Sequence, residues 1–209
     1  DSVVDFELTA NRGDLLSILG MAYEIGAIYD KKVKDIDLSY KETQDDINNS
    51  FKLNINTENC SLFLAKKVEN VSIKESPDFI KNRLIASGIR PINIVVDISN
   101  YVMLECGQPL HFYDYDRLHG EIEVRQAKDN EKLTTLDEVE RTLDISDIVI
   151  SNGKEPIGLA GVMGGLSTEV ESTTKNIIIE AAIFDSVMVR KTSKKILRSE
   201  ASNRFEKGL

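Results

Sequence analysis

The chain has 209 residues, 41% of them hydrophobic and 29% charged, with a formal net charge of −9. That is room for one large domain or two small ones around a real core, as in a soluble globular protein. No run of apolar residues approaches the ~20 needed to span a bilayer. The negative charge argues against a broad phosphate-tracking nucleic-acid footprint, which is usually basic.

Residues 3–8, "VVDFEL", alternate apolar and polar, with Val4, Phe6 and Leu8 on one face, and predict a short strand. Asn11-Arg12-Gly13 breaks it. Asp14 then stands where it can cap a helix whose apolar residues Leu15, Ile18, Leu19, Ala22 and Ile25 fall at helical spacing. The polar segment 30–50 reads as a connector holding a domain boundary. Residues 51–56 alternate again, and 61–73 predict a longer strand. Ser76-Pro77 opens a helix that Gly88 closes. "INIVVDISNYVMLE", 92–105, suits a helix despite its β-branched residues. Short strands follow near 121–126, 139–143 and 147–151. Residues 176–184, "NIIIEAAIF", form an apolar run with one carboxylate inside it, and "SVMVRKTSKKI" predicts a last helix. Strands and helices without regular alternation predict an α+β fold.

The first residues carry no basic-then-apolar leader and no initiator methionine, and the chain stops inside "SNRFEKGL". It reads as a piece of a longer protein. Cys60 and Cys106 share no close spacing with each other or with a histidine, which predicts two buried thiols in a reducing compartment, the cytoplasm by default. His111 and His119 lie on either side of a loop in a poor metal geometry. No P-loop, Cys–His pair or metal-ligand cluster is present.

Three features could carry chemistry. Glu180 sits among isoleucines and alanines, and alternation points it opposite to Ile179 and Ala181. Burying a carboxylate is costly unless it meets a partner. It is therefore either a polar anchor at the bottom of an apolar pocket, a structural partner of an arginine, or exposed. "GLAGVMGG", Gly158 to Gly165, has four glycines in eight residues. Such backbone can approach a ligand closely and offer N–H groups to an anion, or it can form a tight turn. "RPINIVVDISNYVMLECGQPLH" places Arg90, Asn93, Asp97, Asn100 and His111 among apolar residues. On a helix, Asn93, Asp97 and Asn100 share a face, which either lines a cleft or is wet. The Lys- and Arg-rich stretch 190–207 could meet one end of a nucleic acid or be a solvated face.

Taken in order, "NRGDLLSILGMAYEIGAIY", "RPINIVVDISNYVMLECGQPLHFYD", "GLAGVMGG", "IIIEAAIFD" and "SEASNRFEKG" resemble the beta chain of bacterial phenylalanyl-tRNA synthetase. The match covers most of the chain from residue 88 onward and is weak over 31–87. The resemblance implies that residues 1–45 end a preceding module with its linker. Residues 50–209 are then the paired third and fourth modules, an α+β editing region with mixed and antiparallel sheets. In the family that region hydrolyses tyrosine wrongly attached to phenylalanine tRNA. It implies as partners the aminoacylated 3′ end of that tRNA and an alpha chain, in an assembly of two alpha and two beta chains. The aminoacylation site, with its ATP and magnesium, belongs to the parent enzyme, and this segment needs no cofactor.

Residue by residue, Glu180 is similar to the family's glutamate that accepts the tyrosine hydroxyl, and His111 to the pocket histidine. Arg90, Asn100 and Pro109 match pocket residues, and Ala160 and Gly161 match the loop that approaches the substrate. Ser199 and Ala201 stand where the family has Thr-Glu-Ala, and Ser99 where many members carry threonine. Glu138 replaces a glycine in a turn. His111, Asn100 and Gly161 are thus the expected catalytic group, with Glu180, Arg90, Ser99, Pro109, Ala160, Ser199 and Ala201 binding substrate. The rival expectation is a structural or tRNA-end-binding module without editing activity.

Overall fold

The computed structural model of the chain describes residues 3–208; the outermost residues of the two expected modules, Asp1, Ser2 and Leu209, lie outside that range. The expected strand over 3–8 does not form. Val3, Val4 and Phe6 are more than half exposed. Extended backbone without a neighbouring strand leaves its N–H and C=O groups to solvent, so alternation alone does not make a strand. The first helix, α1 (Ile18–Tyr29), is capped by Ser17, whose hydroxyl accepts the Gly20 amide at 2.9 Å. Asp14 is not the cap. It lies in a 3₁₀ turn, Gly13–Leu15, and pairs with Arg12 at 2.8 Å. The connector holds only a 3₁₀ turn at Ile47–Asn49.

Strands β1 (Lys52–Asn56) and β2 (Cys60–Val68) follow, the second ending five residues earlier than its apolar pattern suggests. Helix α2 spans Asp78–Ala86, and Pro77 precedes it without a side-chain cap. Ser76 does not cap α2, because its hydroxyl donates to Asp97 at 2.5 Å. Helix α3 (Ile94–Cys106) forms in spite of its β-branched start. Asn93 accepts the amides of Val95 and Val96 at 3.0 and 3.1 Å, and Gly107 closes the helix at φ 90°. The expected polar face is thereby corrected. Asn93 is a cap, and Asp97 is a buried tether that also accepts the Ile92 amide at 2.8 Å.

The remaining elements are β3 (Leu110–Asp114), β4 (Glu121–Gln126), β5 (Lys132–Thr134), β6 (Glu140–Thr142), β7 (Ile148–Ser151), β8 (Pro156–Leu159), β9 (Met163–Gly164), β10 (Ile177–Phe184), α4 (Ser186–Lys195) and α5 (Glu200–Glu206). β3, β5, β8, β9 and α5 have no counterpart in the sequence pattern. Elements of two to seven residues are too short to show a period.

The strands form a five-stranded sheet, β1-β4-β7-β8-β9, a three-stranded sheet, β2-β10-β3, and the hairpin β5-β6. β1 runs parallel to β4, and the other pairs are antiparallel. The fold is α+β with mixed sheets, as the pattern predicts. Every residue of β7 and β8 is buried. The main core joins Ile122, Val124, Ile150 and Ile157 of the larger sheet to Phe63, Tyr113, Ile178 and Ala182 of the smaller one. Each fully buried aliphatic side chain there contributes roughly 1.5–3 kcal/mol. Among the described residues no helix is long and apolar enough to cross a membrane. Cys60 is buried but Cys106 is exposed on the last turn of α3, which corrects the expectation of two buried thiols.

Candidate functional site

Strand β10 lies between β2 and β3, and its register sets Glu180 opposite Ala65 on one side and His111 on the other. The strand alternates: Ile178, Glu180, Ala182 and Phe184 are buried, while Ile179, Ala181 and Ile183 face the other way. Glu180 thus enters the space between the two sheets, 6% exposed. On β3, His111 and Tyr113 are two residues apart and share a face, which brings both toward Glu180.

The three side chains line a cavity of about 80 Å³. Its other walls are Ile150, Gly158 and Leu159 from β7 and β8, the turn Ala160–Met163, Pro109, and Ala201 and Phe205 of α5. α5 reaches this position because Ser199 and Ser202 form a capping box that starts it, and Phe205 packs on Phe184 with centroids 5.4 Å apart. A larger apolar hollow of about 490 Å³ lies between α1, residues 31–36 and Glu105, and holds no buried titratable group.

The Tyr113 hydroxyl donates to Glu180 Oε2 at 2.5 Å. Burial pushes the Glu180 carboxyl up to about 7, and the Tyr113 hydrogen bond opposes that rise. Burial, with the Glu180 charge, pushes the Tyr113 phenol well above 10, so it keeps its proton as a permanent donor. The His111 ring meets Tyr113 edge-on, with centroids 4.5 Å apart at 80°. Burial lowers its pKa to about 4, so the imidazole is neutral at physiological pH. The ring lies over Gly164, where a Cβ would come within 2.4 Å of it. Only a glycine leaves His111 room there.

The sign of the Glu180 shift gives a stability prediction. Below about 4.5 the carboxyl is protonated folded and unfolded. As pH rises from there the unfolded chain ionises first, so the stability present at low pH is lost through about 7. Glu180→Gln removes this loss. It should match wild type near pH 4.5 and exceed it at pH 8 by on the order of 2–3 kcal/mol. Thermal melts of both proteins across that range decide it, and a difference independent of pH would refute it.

The glycine-rich stretch is the turn from β8 to β9. Its Ala160, Val162 and Gly165 amides donate to Ile148, Leu159 and Ile157 carbonyls at 3.0, 3.0 and 2.7 Å. Gly161, at φ 67°, is the turn residue that carries no such bond among the described residues. Its N–H has no acceptor among the described residues.

The sequence-derived candidates divide. Glu180, His111, Pro109, Ala160, Gly161 and Ala201 meet around the cavity. Asn100 is half-buried on α3, outside the cavity wall, and Arg90 is exposed. Ser99 ties α3 to β3 through its hydroxyl, which donates to the Leu110 carbonyl at 2.7 Å. Ser199 caps α5. In the basic stretch, Lys195 lies 3.7 Å from Asp147 and Arg198 lies 3.9 Å from Glu206. Arg204 is 4% exposed and donates to the Leu16 carbonyl. Sequence reasoning missed Tyr113 and Phe205. The i, i+2 relation to His111 was the available signal for Tyr113. Among the described residues no cluster of three or more His, Cys, Asp or Glu side chains could hold a metal ion.

Comparison with known proteins gives this arrangement a family. Residues 59–209 match the model of the B3/4 domain. The whole chain aligns with proteins named phenylalanine--tRNA ligase beta subunit. Identity is 54% over 212 residues in Staphylococcus haemolyticus strain JCSC1435 and 52% in the bovine strain RF122 of Staphylococcus aureus. It spans only 26% of the length of these relatives. Among solved structures, an N-terminal fragment of the phenylalanyl-tRNA synthetase beta-subunit from Pyrococcus horikoshii shares the fold. Its TM-score is 0.50 at 16% identity, over 88% of this chain and 58% of that one. The chain therefore belongs to the B3/4 domain family, in the form carried by phenylalanine--tRNA ligase beta subunits.

Proposed function

We propose that this segment hydrolyses tyrosine from mischarged phenylalanine tRNA, as the editing part of a phenylalanine--tRNA ligase beta chain. Residues 1–45 then end the preceding module, and 50–209 form the editing unit. In this reading the parent enzyme works in the cytoplasm with an alpha chain, two of each. It attaches phenylalanine to tRNA using ATP and magnesium, at a site outside this segment.

The observation that carries the reading is Glu180, a buried acceptor in the wall of a cavity whose other lining is mostly apolar apart from His111 and Tyr113. Tyrosine and phenylalanine differ by one oxygen. A buried group built to accept the tyrosine hydroxyl is left unpaired by phenylalanine, which is rejected by ~10⁴–10⁵. The ester itself needs only a held water and help for the oxyanion. Water attacks the ester carbonyl, its oxygen bonds to carbon, and the bond from carbon to the ribose oxygen breaks. One water proton goes to the ribose oxygen, leaving tyrosine and a free tRNA end. In this reading the Gly161 amide, which has no acceptor among the described residues, meets the oxyanion. A His111 ring with a pKa of about 4 holds a proton poorly, so its role is to orient the water or the ester as a neutral hydrogen-bonding group. Pro109, Ala160 and Ala201 shape the apolar wall. Ser99 and Ser199 contribute through the backbone they hold, and Arg90 and Asn100, which are not in the cavity wall, through the tRNA end.

The test is hydrolysis of tyrosyl and phenylalanyl esters, both on phenylalanine tRNA, by the assembled parent enzyme. Faster loss of the tyrosyl ester is the expected result. Equal, background loss of both would leave the chain a structural or tRNA-end-binding module.

A further inference from the structure

The carboxylate assigned to substrate recognition already holds a phenol. Tyr113 is 1% exposed, and its hydroxyl binds Glu180 Oε2 from the neighbouring strand. That hydroxyl lies against β8, 3.8 Å from the position a Cβ on Gly158 would take. The ring is wedged edge-on against His111. Phenylalanine would fill the same ring space, so the added hydroxyl answers to Glu180 and not to packing.

We infer that Tyr113 is a positioning and specificity residue of this site: its phenol fixes the Glu180 carboxylate, occupies one oxygen, and leaves the other as the single acceptor for a substrate hydroxyl. The inference rests on the editing reading above. Two consequences follow from the geometry. A carboxylate with one oxygen held has fewer orientations open to its second, so the acceptor is preorganised. A hydrogen bond donated to the ionised form also favours that form. The other titratable groups near Glu180 are His111 on β3, held neutral by burial, and Cys60 on β2, whose thiol is pushed up by burial and by the Glu180 charge, so it is Tyr113 that works against the burial keeping Glu180 protonated.

The experiment is a pH profile of kcat/KM for the tyrosyl ester between pH 5.5 and 8.5, with the assembled parent enzyme. Wild type, Tyr113→Phe and Glu180→Gln are compared, with a thermal melt to verify folding. Wild type should show a rising limb that Glu180→Gln abolishes. Tyr113→Phe should move that limb to higher pH by about one unit and raise KM for the tyrosyl ester several-fold. A lost hydroxyl with a purely structural role would lower the melting temperature and leave the limb in place. A limb that stays put, or moves to lower pH, in a folded Tyr113→Phe enzyme overturns the inference. If Tyr113→Phe does not assemble, 3-fluorotyrosine at position 113, a stronger donor of nearly the same size, carries the test: the limb should move to lower pH, and a limb that stays put overturns the inference. Wild type that fails to hydrolyse the tyrosyl ester would instead overturn the editing reading, so the two failures are distinct.

Discussion

Glu180→Ala in the assembled enzyme should lower the preference for the tyrosyl over the phenylalanyl ester by on the order of 10²–10⁴-fold. Two losses add. On the proposed editing reading, the tyrosine hydroxyl loses an acceptor that is about half-ionised at neutral pH, and hydrogen bonds to charged groups contribute ~1.5–3 kcal/mol each. The phenylalanyl ester also loses the penalty it incurred by leaving the second oxygen of a buried carboxylate without a donor. Tyrosyl hydrolysis therefore falls while phenylalanyl hydrolysis stays level or rises, and the ratio of the two is the quantity to measure. The Tyr113 hydroxyl loses its partner too, so a melt at pH 6 must accompany the assay. An unchanged ratio would remove Glu180 from recognition, whatever happens to the overall rate.

Gly161→Ala should cost about 2–4 kcal/mol of stability and most of the hydrolytic activity. The backbone there lies at φ 67°, a conformation that costs an L-residue roughly 1–2 kcal/mol. A Cβ would also stand 2.9 Å from the Phe205 ring, 3.2 Å from Val189 and 3.3 Å from Phe184. All three neighbours are buried, so they can yield only by shifting α4, α5 or the end of β10, at a further ~1–2 kcal/mol. For a chain of this size the melting temperature should fall by roughly 5–15 °C. A displaced Phe205 opens the cavity wall, and a shifted turn re-aims the free Gly161 amide. A melting temperature within about 2 °C of wild type would show that the turn is not the constrained element described here.

How much was legible in the residues depends on how far each one's neighbours lie along the chain. Glu180 was readable because β10 is long enough to alternate and carries a single carboxylate. Its partner was not readable. Tyr113 looks like any core aromatic until the pairing of β3 with β10 sets it beside the carboxylate, 67 residues away in sequence. Phe205 was hidden in a stretch that reads as basic, because α5 is seven residues long and one of its cations, Arg204, is buried. The opposite error came at 3–8, where the alternation is clear but no strand pairs with it. Asn93 misled in a third way. A residue at helical spacing from Asp97 looks like part of a face, yet at the first position of that spacing it is the cap. Local pattern thus located the acceptor, whereas pairing across long sequence gaps assembled the site around it.

The small sheet that carries the acceptor has a consequence for how the protein is made. Its strands come from residues 60–68, 110–114 and 177–184, with the latest in sequence in the middle. Neither outer strand touches the other, so both wait for β10. Closing such distant segments is entropically slow and is rewarded only when the last strand arrives. During synthesis β2 and β3 emerge with apolar faces and open hydrogen-bonding edges long before their common partner exists. The cavity then forms in one late cooperative step, after the chain has emerged past Phe205. A nascent or C-terminally clipped chain should therefore hold no pocket, and its exposed edges make it a natural client for chaperones.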